Sequence, residues 1–106
     1  MTLPMIRPFA LLSAALLASP PAQAVEAGDR HAVWQGCLDR NFGLEAALAG
    51  RALAADTALK ACREAETAYL EALSATPLLD ADEVAQARPA LVARARNRLL
   101  GRRAAL

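Results

Sequence analysis

CLDRNFGLEAALAGRALAADTALKAC, residues 37–62, contains both cysteines of the chain. Its centre falls at Ala49-Gly50, twelve residues from either cysteine. Glycine takes the positive φ that suits a helix C-terminus. If the flanks are helices and the chain turns at Gly50, Cys37 lies opposite Cys62 in an antiparallel hairpin. At ~1.5 Å rise per residue, the pair sits about 18 Å from the turn. A bond there pins the hairpin far from its closed end. The rival pairing is two free thiols or a bridge between molecules.

Working outward, the N-terminus speaks to compartment. Arg7 precedes the apolar run from Phe9 to Ala18, then Pro20-Pro21, then Ala22-Gln23-Ala24. That order is a secretory signal peptide, so residues 1–24 are expected to be cleaved and residues 25–106 to form one small helical domain. The apolar run is short of the roughly 20 residues that span a bilayer, so no transmembrane segment is expected in the mature chain. An uncleaved anchor is the alternative. Export to a periplasmic or secreted location provides the oxidising conditions that a disulfide needs. A domain this short buries only around 60–65% of its unfolded surface, so the staple matters. Loop-closure entropy assigns it about 3.5 kcal/mol.

Charge is divided along the chain. Residues 25–87 carry five basic and eleven acidic side chains, whereas residues 88–106 carry six arginines and no acid. A basic tail on an acidic body is the one global feature that suggests partners.

The periodicity predicts three helical segments. The first runs over about 29–48, with Asp29 as N-cap. Its apolar side gathers Val33, Trp34, Cys37, Leu38, Leu44 and Leu48; Asn41 and Glu45 intrude on it, and an irregularity is expected at 41–43. The second runs over about 51–74 (a start at Asp56 is the alternative). Its arc is Ala55, Ala58, Leu59, Cys62, Ala65, Tyr69, Leu70 and Leu73, with Lys60, Arg63, Glu64, Thr67 and Glu71 opposite. Thr76-Pro77 ends it. Asp80 and Glu83 are spaced as a capping box that opens the third segment. Pro89 is expected to break that segment near Ala87 and to restart it. Leu91, Val92, Ala95 and Leu99 then form the last apolar stripe, closed by Gly101. The fold class is all-α: a disulfide-stapled antiparallel helical hairpin plus a shorter, proline-broken C-terminal segment.

Chemistry is sparse. His31, the single histidine, falls on the polar side of its wheel and reads as a solvated surface residue. A zinc site wants three or four ligands at close spacings, and no such set, redox C-x-x-C or phosphate loop is present. No cofactor and no catalysis are expected. Glu66 lies inside the apolar arc, where a carboxylate is costly unless paired. Its expected partners are Arg30, Arg63 or an arginine of the last helix, with recognition of a cationic ligand as the alternative. Trp34, three residues before Cys37, reads as core or as a recognition aromatic. Arg94, Arg96, Arg98, Arg102 and Arg103 are candidate partner-binding residues; Arg94, Arg96 and Arg98 either face outward to a partner, the reading preferred slightly here, or fold back onto Glu64, Glu66 or Glu71. The function expected is a small exported, non-enzymatic interaction module that binds an envelope protein. The alternative is a peripheral binder of anionic lipid or polysaccharide. Nucleic acid is not an expected partner of an exported chain with an acidic body.

The pattern Trp34-x-x-Cys37 followed by Ala61-Cys62-Arg63-x-x-Glu66-x-x-Tyr69 resembles small cysteine-paired helical proteins exported by bacteria, such as the lysozyme-inhibitor-like group. No function is carried over from that resemblance.

Overall fold

The computed structural model describes residues 22–101. Four helices occupy them: α1 Ala22–Ala49, α2 Arg51–Ala61, α3 Arg63–Ser74 and α4 Ala81–Leu100. No strand occurs among the described residues. The fold is all-α. The expected export signal, residues 1–24, lies outside the described residues except for residues 22–24, which stand in the first turn of α1.

Gly50 makes the turn with φ 80°, and it carries the only positive φ among the described residues. From there α2 and α3 run back along α1. Cys37 and Cys62 meet as a disulfide with Cα atoms 5.9 Å apart. Three alanines of α2, Ala54, Ala55 and Ala58, are wholly buried and share one core with Trp34, Leu38 and Phe42 of α1. Leu99 of α4 completes this core. Each fully buried Leu-sized side chain contributes about 1.5–3 kcal/mol.

Several expectations are corrected. α1 begins at Ala22, not near 29, so Asp29 lies inside the helix rather than capping it. Residues 22–27, AQAVEA, are good helix formers, and Glu26 pairs with Arg30 one turn on at 3.7 Å. No irregularity interrupts 41–43. Asn41 instead donates to the Cys37 carbonyl at 2.9 Å and lies against the disulfide sulfurs, which explains a polar residue on the inner face.

The inner face of α1 is also rotated from the expected one. Ala27, Trp34, Leu38 and Phe42 are buried, whereas Val33, Leu44 and Leu48 are exposed. The small alanines of α2 admit Phe42, and Tyr69 of α3 receives Trp34, so the buried line is Trp34, Leu38 and Phe42 at four-residue spacing. Leu59, Leu70 and Leu73 are half-buried rather than central.

The second arm is two helices rather than one. Cys62 departs from helical geometry with φ −102° and ψ 21°. The hydrogen-bond ladder survives on either side: the Cys62 N–H reaches the Ala58 carbonyl, and the Glu66 N–H reaches the Cys62 carbonyl, each at 3.0 Å. α2 and α3 therefore act as nearly one rod.

Asp80 and Glu83 form the expected capping box, with the Glu83 N–H donating to Asp80 at 2.8 Å and the Asp80 N–H to Glu83 at 3.2 Å. Pro89 lies inside α4 and does not divide it. Only the Ala85 carbonyl loses its intrahelical donor, and Ala85 is exposed to water. α4 lies antiparallel to the α2–α3 rod. Its end is tied to the hairpin by Arg51, which donates to the Leu100 carbonyl at 3.1 Å and lies 5.4 Å from the centre of the Phe42 ring.

Candidate functional site

The hairpin register puts His31 of α1 level with Tyr69 of α3, two turns beyond the disulfide. Their ring centres are 4.8 Å apart. Trp34, one turn along α1, stacks on Tyr69 with ring centres 5.7 Å apart and 26° between the planes. Its edge-to-face approach to His31 measures 6.2 Å. These separations suit favourable aromatic pairing. Burial pushes the Tyr69 hydroxyl above its usual pKa, opposed by the positive charge of Arg94.

α4 passes over this cluster and leaves a groove of about 500 Å³ between itself and α1. Trp34 and Tyr69 lie at its floor; Leu91, Arg94 and Arg98 border it from α4, and Gln35 from α1. Two donors here are buried and have no acceptor: the Trp34 indole Nε1–H and the Arg98 Nε–H. Leaving a buried donor unmet costs about 1–3 kcal/mol. Arg98 is otherwise held, since its Nη2 donates to Asp39 at 3.0 Å. Arg94 makes no ion pair among the described residues.

The remaining arginines of α4 turn inward. Arg88 reaches Glu66 at 3.0 Å, and Arg63 lies 3.7 Å from the same carboxylate, so burial of Glu66 to 3% exposure is compensated. Arg96 meets Asp56 of α2 at 2.8 Å. That hydrogen bond holds the Asp56 carboxyl below its usual range and raises Arg96 in turn. The slight preference for outward-pointing arginines is thus corrected for Arg96 and Arg98. The acids they meet are Asp56 and Asp39, not Glu64 or Glu71. An arginine on each flank of the apolar stripe can be paired because α4 lies in the seam between two helices, with acids on either side.

Of the residues singled out from sequence, the structure brings Trp34, Arg94 and Arg98 to one groove. Glu66 borders a second, smaller groove of about 310 Å³ between α4 and the α2–α3 rod, and Arg96 pairs with Asp56, which also lines it. Arg102 and Arg103 lie outside the described residues. Trp34 is core by burial, at 2% exposure, and also groove floor. His31 is corrected from a solvated residue to a half-buried member of the aromatic cluster. Sequence reading missed Gln35 and Leu91 as groove residues and took Tyr69 only as core. The signal was present in the four-residue spacing of His31 and Gln35 beside Trp34. It was masked by Val33, which drew the inner face to the wrong side. No group of three or more His, Cys, Asp or Glu side chains that could hold a metal occurs among the described residues.

In comparisons with known proteins, the chain matches no family model, no curated protein and no solved structure.

Proposed function

We propose that this chain is a small exported, non-enzymatic interaction module that binds an envelope protein through the groove between α1 and α4. The observation that carries the reading is the groove itself. It combines an aromatic floor, two buried donors without acceptors and an arginine outside the ion-pair network. Buried donors are normally met, and a mixed aromatic and polar concavity of this size is what binding sites are made of. The disulfide supports an oxidising compartment. No described helix is long and apolar enough to cross a membrane. The inward ion pairs at Arg88, Arg96 and Arg98 favour this reading over a basic helix laid on an anionic surface.

Immobilised oxidised protein, incubated with envelope extract, tests the proposal. A protein retained by the wild type should be lost on Arg94→Glu, which reverses the charge at the groove rim. It should be kept on Lys60→Glu, which lies away from the groove. Retention that survives Arg94→Glu but fails on Leu44→Ala/Leu48→Ala would move the binding surface to the exposed leucines of α1 and refute the groove.

A further inference from the structure

The buried polarity of the groove is one-sided, and that selects a ligand chemistry. Its two buried unmet groups are both donors, Trp34 Nε1–H and Arg98 Nε–H, and the exposed guanidinium of Arg94 stands at the rim. Arg98 already has a carboxylate partner in Asp39, so the charge left to be answered is that of Arg94. We infer, resting on the groove reading above, that the groove takes an acidic side chain of a partner peptide, flanked by apolar residues. The carboxylate is the acceptor these donors lack, and the flanking residues lie against Tyr69 and Leu91.

A carboxylate accepts from several donors at once and is well matched to guanidinium. One uncompensated cation suits one negative charge rather than a surface of many. The walls argue for a peptide as the source. Leu91 and Ala95 of α4 and the rings of His31, Trp34 and Tyr69 make them largely apolar. A free inorganic anion has nothing to place against such walls. A lipid surface would need exposed aromatic anchors, and the aromatic rings here are buried or half-buried in the groove.

The chain supplies its own probe, because Trp34 is its single tryptophan. The oxidised protein is titrated with a blocked peptide carrying one glutamate between leucines, and with the same peptide carrying glutamine. Inorganic phosphate and vesicles of anionic phospholipid are titrated in parallel. A saturable change in Trp34 emission is expected with the glutamate peptide, and the glutamine peptide should bind about tenfold more weakly, as loss of a charge-assisted bond implies. Arg94→Gln should abolish that preference, while Lys60→Gln leaves it intact. Equal binding of the two peptides would overturn the carboxylate and leave the groove standing as a peptide site. Tighter, Arg94-dependent binding of phosphate or vesicles would overturn the peptide source. No emission change with any probe would overturn the inference. Failure of the groove reading shows separately, as an envelope partner that Arg94→Glu still retains.

Discussion

The hairpin and α4 are both helical, yet they are held by different forces. Along the hairpin, α1 and α2 bury Trp34, Leu38, Phe42, Ala54, Ala55 and Ala58 in a continuous strip closed by the disulfide. α4 buries Val84 near its start and Leu99 near its end, and no residue from 85 to 98 is fully buried. Over that span the attachment combines half-buried Leu91, Val92 and Ala95 with the ion pairs Arg88–Glu66, Arg96–Asp56 and Arg98–Asp39. A core built on apolar burial resists salt and water. A seam built on partly exposed ion pairs does not. The difference puts the groove where one wall is fixed and the other can adjust.

The contrast can be broken most severely from the hairpin side. Leu38→Ala removes a wholly buried side chain and should cost about 2–5 kcal/mol in denaturant melts. Leu44→Ala, on the exposed face of the same helix, should stay within about 0.5 kcal/mol. Equal losses at the two positions would mean that α1 is turned differently. Next in size is the staple: Cys37→Ala/Cys62→Ala should lower stability by about 2–4 kcal/mol. A double variant as stable as the wild type would remove the disulfide from the account.

On the α4 side the effects are smaller. Glu66→Ala strips the buried carboxylate from Arg88 and Arg63, both partly exposed and able to turn to water. A loss of about 1–2 kcal/mol is expected, below that of a fully buried pair. A double-mutant cycle with Arg88→Ala should show coupling; additive losses would mean that the pair does not hold α4. Smallest is the pH effect at Asp56. Its folded pKa is lowered, so its contribution is present above the unfolded pKa and declines as pH falls through the folded value. Acid titration by NMR should place the Asp56 midpoint below its usual value in the wild type and restore it in Arg96→Gln. An unchanged midpoint would show that the bond does not form.

How much of this was legible beforehand follows from the same contrast. The hairpin register was readable because two cysteines stand symmetrically about one glycine, and the Asp80–Glu83 cap because its chemistry is local. The facing of α1 was not. Val33, Leu44 and Leu48 are as apolar as the buried residues, and only the alanine wall of α2 decides that Phe42 goes in. The break in helical dihedrals at Cys62 carries no glycine or proline, so local propensity leaves it unmarked. Pro89 misled in the opposite sense: it costs one hydrogen bond, and the exposed turn at Ala85 leaves that carbonyl to water. For the site, Trp34, Arg94 and Arg98 were candidates individually. Their meeting depends on α4 lying along the seam, which no spacing within one helix encodes.

Native-state amide hydrogen exchange tests the central contrast most directly, since it measures local opening helix by helix. Amides of residues 85–98 should exchange through openings of lower free energy than those of residues 34–42. Raising the salt concentration should accelerate exchange in α4 while leaving α1 unchanged. Equal protection in the two helices, with no separate response of α4 to salt, would contradict the account.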